Sequence, residues 1–260
     1  ASTQESNDPS AQNTNIIANL RNIQETRRKG RPPGKRKELI RKIKNKLKKG
    51  IVRIGSWNVN SLKTKIQDVI CSAKLAKVEI LACQETVEIA SDDFSNIDQD
   101  FIWINPELVP EKSKLGTGTG FLVNKSVSKC CTPVAANIEN TSWIELNLSK
   151  RTYLIGSLYL PCRDGSESRK RLLKTRLSQI KKFIKSHREK NIILMGDLNG
   201  WIGKSIITGP TMGKWNDHGE IIEGWLRKNK FGVLNGYSEE IQYTRSRNEQ
   251  RSVLDYICCN

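Results

Sequence analysis

One apolar run constrains the fold of this 260-residue chain more than any other: Asn191-Ile192-Ile193-Leu194-Met195, followed at once by Gly196-Asp197-Leu198-Asn199. It reads as a buried strand that ends in polar residues at the edge of a sheet. Asp197 and Asn199 stand two residues apart, so strand alternation sends both side chains to one face. A carboxylate beside a carboxamide makes a poor core pair. It is a good pair for orienting a water and holding a phosphoryl oxygen. Because an Asp-x-Asn step also opens ordinary turns, the tetrapeptide gains meaning only with other motifs.

The rest of the pattern is consistent with such a sheet. Residues 51–58 read as a strand, Leu62, Ile66, Val69, Ile70 and Ala73 form a helical stripe, and residues 79–84 form a second strand. Short strands are expected at 101–104, 120–124, 143–148 and 152–159. A helix carrying Leu172, Leu173, Leu177, Ile180, Phe183 and Ile184 on one face precedes the 191–195 strand. A shorter helix around Ile221, Ile222, Trp225 and Leu226 leads to 232–235, and 253–258 is the last strand. Strand-rich stretches broken by three helices predict an α/β sandwich with mixed sheets.

Charge points to a polyanionic partner. The chain carries a net +17, and residues 1–50 hold 14 Lys/Arg against 4 Asp/Glu. Residues 1–20 are polar and are expected to be disordered. They lead into Arg27-Arg28-Lys29-Gly30-Arg31-Pro32-Pro33-Gly34-Lys35-Arg36-Lys37, whose Gly-Arg-Pro centre resembles an AT-hook. A nuclear-import signal or a basic linker would have the same composition. Arg28, Lys29, Arg31, Lys35, Arg36 and Lys37 are the candidate DNA contacts. Residues 36–49 set Leu39, Ile40, Ile43 and Leu47 on one stripe of a basic amphipathic helix.

No apolar stretch is long enough to span a bilayer, so no membrane role is expected. Seven cysteines without CxxC spacing fit a reducing, intracellular compartment, and a DNA partner makes it the nucleus. The chain starts at Ala1 without methionine and ends at Asn260 within an apolar run, as a processed or excised piece would.

Four more segments sit at strand ends: Ser56-Trp57-Asn58-Val59-Asn60, Cys83-Gln84-Glu85-Thr86, Leu158-Tyr159-Leu160-Pro161 and Ser252-Val253-Leu254-Asp255-Tyr256. Any one could be structural, but together they describe one chemistry. Glu85 offers an oxygen ligand suited to the hard cation Mg²⁺. Asn58, Tyr159 and Asn199 offer neutral donors to phosphoryl oxygens, and Asp197 can position a nucleophile.

The order Trp57-Asn58, Gln84-Glu85, Tyr159-x-Pro161, Gly196-Asp197-x-Asn199 and Ser252-x-x-Asp255-Tyr256 resembles the exonuclease–endonuclease–phosphatase superfamily. Softer likenesses to its non-LTR retrotransposon branch are Gly118–Val123, Asn199-Gly200-Trp201-Ile202-Gly203 and Gly219…Trp225-Leu226…Asn229…Leu234-Asn235. The resemblance implies a four-layered α/β sandwich of two mixed sheets flanked by helices over residues 51–260, behind the basic tail at 1–50. It implies Mg²⁺, with Mn²⁺ as an alternative, held at Asn58 and Glu85 against the scissile phosphate. Tyr159 would brace that phosphate, Asp197 would orient or deprotonate water, and Asn199 would stabilise the pentacovalent transition state. The implied partners are double-stranded DNA and a reverse transcriptase domain on the same polypeptide.

Asp255 would orient a histidine, and here the chain departs from the pattern. The superfamily closes with Ser-Asp-His on a further strand, so the domain is expected to be C-terminally truncated, with the 253–258 strand left as an unpaired edge. His218 is the only substitute of interest, since His187 reads as a cap on its helix. The leading expectation is a DNA-nicking phosphodiesterase. The alternatives are an apurinic/apyrimidinic repair endonuclease and a non-catalytic DNA-binding module.

Overall fold

In the computed structural model the described residues are 51–86, 98–105, 118–148, 151–209, 213, 215–237, 244–247 and 250–260. The tail, with its AT-hook-like segment, its amphipathic helix and its six candidate DNA contacts, lies outside them.

Two sheets carry the fold. The first has β1 (Ile54–Asn58), β2 (Ile80–Gln84), β3 (Phe101–Ile104) and β4 (Thr119–Asn124), in the order β1-β2-β4-β3. The second is built from β5 (Cys131–Val134), β6 (Thr141–Leu148), β7 (Arg151–Tyr159), β8 (Asn191–Asp197), β9 (Gly232–Val233) and β12 (Asp255–Cys259), in the order β5-β6-β7-β8-β12-β9. Both are mixed: β1–β2 and β7–β8 are parallel, and the other pairs are antiparallel. Helix α1 (Ile66–Ala76) follows β1, the short α2 (Lys125–Ser128) follows β4, α3 (Glu167–Lys185) joins β7 to β8, and α4 (Asp217–Lys228) precedes β9. A two-stranded ribbon, β10 (Arg245–Arg247) with β11 (Gln250–Ser252), stands apart.

Alternation along the strands explains the four layers. Ile80 and Ala82 face the second sheet and meet Ile144, Ile155 and Met195, while Leu81 and Cys83 face outward onto Val69, Ile70 and Ala73 of α1. On β8, Met195 joins the inter-sheet core and Leu194 joins the outer core with Leu177 and Ile180 of α3 and Leu226 of α4. A strand apolar on both faces is thus covered on both faces. Among the described residues no helix is long and apolar enough to cross a membrane. All seven cysteines are free thiols.

Three expectations need correction. Residues 232–235 are strand only at Gly232–Val233 and then tighten into a 3₁₀ turn, Leu234–Tyr237. Strand β5 adds a segment that the sequence pattern hides, because Pro133 lies inside it, which an edge strand tolerates. Strand β12 is not an open edge. Cys258 and Cys259 pair with Val233 and Gly232 of β9, and the Asn235 carboxamide covers the next stretch. Its Nδ2 donates to Asp255 O at 3.0 Å, and Ile257 N donates to its Oδ1 at 2.9 Å.

Candidate active site

The six predicted catalytic residues converge at one end of the two sheets. Asn58 is the last residue of β1, and it lies beside Gln84, the last of β2, with Glu85 immediately after. Tyr159 and Asp197 end the parallel strands β7 and β8 side by side. Asp255 opens the antiparallel β12 directly across from Asp197.

Backbone turns hold these side chains at the strand ends. Glu85 (φ +52°) and Asn199 (φ +50°) are both left-handed, a conformation uncommon outside glycine and frequent at functional sites. The Glu85 turn is held by Ser61 N donating to Glu85 O at 2.7 Å and Leu62 N to Thr86 O at 3.2 Å. Gly196 adopts φ +140°, and a Cβ there would lie 2.0 Å from Leu158 O. No other residue fits between β7 and β8 just before Asp197.

Asn58 joins the two sheets. Its Nδ2 donates to Glu85 Oε1 at 2.8 Å and to Asp197 Oδ2 at 2.9 Å. Asp197 Oδ1 accepts from Asn199 N at 2.9 Å, and Asn199 Nδ2 donates to Leu160 O at 2.9 Å. Asn199 thus anchors both Asp197 and the loop after β7. Behind Asn58 and Glu85 a buried network crosses between the sheets. Ser56 Oγ donates to Gln84 Oε1 (3.3 Å), Gln84 Nε2 to Ser157 Oγ (2.9 Å), and Ser157 Oγ to Cys83 O (3.0 Å).

Electrostatics single out Asp197. Burial, and then the neighbouring Asp255 carboxylate, push its carboxyl up to about 7, against the lowering effect of the Asn58 and Asn199 hydrogen bonds. A carboxylate poised near neutrality can accept a proton from water. The Tyr159 phenol is pushed up, first by burial, then by its contact with Cys162 and by the charges of Glu85 and Asp197. It stays a neutral O–H, 3.3 Å from Cys162 Sγ. Cys162 joins the site without any signal in the sequence, where it is a lone cysteine three residues past Tyr159.

Neither histidine completes the site. His218 is 1% exposed in the first turn of α4, and neither ring nitrogen has a partner, so it does not bond Asp255. Burial lowers its pKa and keeps it neutral. His187 Nδ1 lies 3.0 Å from Phe183 O at the end of α3, in the capping position expected for it.

Among the described residues no three His, Cys, Asp or Glu side chains form a ready metal cage. The donors nonetheless fit an ion that keeps most of its waters and takes one or two carboxylates. The charges of Asp255 and Glu85 both bear on Asp197 at this end of the sheets. The Asn58 amide stands between two of these carboxylates, its Nδ2 on Glu85 and Asp197 and its Oδ1 accepting from Asn60 N at 3.2 Å.

The fold is similar to the endonuclease domain of TRAS1, a telomere-specific non-LTR retrotransposon, with TM-score 0.56 and 16% identity over 81% of this chain and 85% of that one. It is also similar to the 3′ phosphatase NExo from Neisseria bound to a product DNA hairpin (0.55, 14%, 81% and 87%). An AP endonuclease from Archaeoglobus fulgidus is a third (0.52, 15%, 80% and 86%). No family profile and no curated protein matches the sequence. By its architecture this chain has the fold of the exonuclease–endonuclease–phosphatase superfamily.

Proposed function

We propose that the chain is a metal-dependent DNA endonuclease that nicks duplex DNA and leaves a 3′-hydroxyl. The observation that carries this reading is the Asn58 amide, shared between Glu85 on one sheet and Asp197 on the other. Asp197 takes a proton from a water, which attacks the phosphorus while the bond to the 3′ oxygen breaks. The departing oxygen takes a proton from solvent, and the phosphate remains on the 5′ side. Asn199 and the Tyr159 hydroxyl donate to the phosphoryl oxygens as charge builds on them. Mg²⁺, or Mn²⁺ in its place, would be held by Glu85 and Asn58 and would supply positive charge to the phosphate.

The biological setting proposed with it has three supports: the likeness to the TRAS1 domain, the +17 charge and the basic segment Arg27–Lys37. They fit a non-LTR retrotransposon polyprotein working in the nucleus, where the nick primes a reverse transcriptase carried on the same polypeptide. The test is relaxation of supercoiled plasmid in Mg²⁺, run beside an abasic duplex. Nicking of intact plasmid that falls roughly 10²–10⁴-fold in Asp197→Asn supports the reading. Cleavage confined to the abasic duplex makes the chain a repair enzyme, and DNA binding without cleavage makes it a binding module.

A further inference from the structure

The loop that follows the Asp197–Asn199 turn exposes an indole held in an unusual way. Trp215, just before α4, is 50% exposed, and Trp201 is 45% exposed. The two segments are tied together. Asn216 N donates to Trp201 O at 3.2 Å, Trp201 N to Asn216 Oδ1 at 3.1 Å, and Lys204 N to Gly213 O at 3.2 Å. Behind the Trp215 ring lies Gly203. A Cβ on that glycine would be 2.4 Å from Cδ2, 2.7 Å from Cε2 and 2.8 Å from Cε3. These atoms surround the ring fusion, so the glycine lies against the flat of the indole, and the exposed half is the opposite face. Gly156 backs Trp143 in the same way, but there the ring is fully buried and packs against the Phe183 ring, centroids 4.8 Å apart. The same device at Trp215 opens onto solvent.

The geometry points to the free face of Trp215 as a stacking platform for an unpaired nucleobase of the bound DNA. This rests on the nuclease reading above and adds a subsite to it. Gly203 is four residues from Asn199, so the platform lies within about 14 Å of the phosphate-cleaving residues along the chain. That reach corresponds to roughly four nucleotides at about 3.4 Å per step. An aromatic face takes any base, and the exposed Lys204 next to Gly203 supplies the charge that a backbone requires. A fully paired duplex keeps its bases stacked on one another and offers the ring nothing.

The experiment uses the full chain in EDTA, so that nothing is cut, with two fluorescein-labelled duplexes. One is fully paired and the other carries a single unpaired adenine. Anisotropy gives affinity, and tryptophan emission reports stacking. Expected are tighter binding and quenched emission with the bulged duplex, both lost in Trp215→Ala by roughly 5- to 100-fold in affinity. Trp215→Phe should retain most of the preference, and Gly203→Ala should lose it by pushing the ring aside. Equal affinity of the wild-type chain for both duplexes, or an unchanged preference in Trp215→Ala, overturns the platform while leaving the nuclease reading in place. Failure to bind either duplex removes the nuclease reading and the platform with it.

Discussion

Replacing Asp197 with Asn should change how stability depends on pH, by an amount that the site itself sets. The carboxyl rises from its ordinary 3.8 to about 7, driven first by burial and then by Asp255. Between pH 5 and 7 the folded chain therefore holds a proton that the unfolded chain has released. A raised folded value means stability that is present at low pH and lost as pH climbs through 7. The slope is roughly 1.4 kcal/mol per pH unit, so about 3 kcal/mol disappears between pH 5 and pH 8. Asp197→Asn carries no such proton. It also loses one of two acceptors, which costs about 1 kcal/mol at every pH. Urea denaturation in EDTA at pH 5 and pH 8 separates the two effects. The variant should be slightly less stable than wild type at pH 5 and more stable at pH 8, the difference moving by about 3 kcal/mol. A difference that is constant within about 1 kcal/mol would refute the claim that burial and Asp255 hold the proton on Asp197. Added Mg²⁺ should shrink the shift, since a cation favours the ionised form.

Glu85→Gln should leave the fold unchanged and weaken Mg²⁺ binding by calorimetric titration; unaltered binding would remove Glu85 from the metal site. Deleting residues 1–50 should flatten the fall of log K for DNA with log salt, in proportion to the number of phosphates the tail neutralises. An identical slope would show that the tail points elsewhere. Gly219→Ala, which in an ordinary helix gains about 1 kcal/mol, should instead cost more than about 2 kcal/mol in thermal or chemical melts. A Cβ at Gly219 would sit 1.7 Å from Trp201 O, where α4 presses on the loop after Asn199, and a stabilised variant would mean that this loop is free to move away.

What can be read from the sequence, and what cannot, divides along physical lines. Asn58, Glu85, Tyr159, Asp197 and Asp255 are legible because each ends, opens or immediately follows a strand, and strand ends of parallel pairs share one edge. The four layers are legible because residues 80–83 and 192–195 are apolar at both alternating positions. Strand β5 is hidden by Pro133, and the β10–β11 ribbon by its polar sequence. The covering of β12 is invisible because a side chain, Asn235, does the work of a neighbouring strand. Nor can spacing reveal that Asn58 donates to both carboxylates, since that contact spans 139 residues. The proximity of Cys162 to Tyr159 and the glycine behind Trp215 depend on loop conformation, which leaves no periodic trace.

The position of β12 between β8 and β9 sets the order in which the site can assemble during synthesis. On a ribosome adding about 5–20 residues per second, α1 and the β1–β2 pair can form early, because their contacts are close in sequence. Asp197 gains its cross-strand neighbour Asp255, and β8 its second partner, only after residues 255–259 have been made. A translation product that stops before Asp255 therefore leaves β8 open on one side and β9 without a strand to join. Such a fragment carries Asn58, Glu85 and Asp197 but not Asp255, so the cluster of carboxylates at the sheet ends is complete only once β12 is in place.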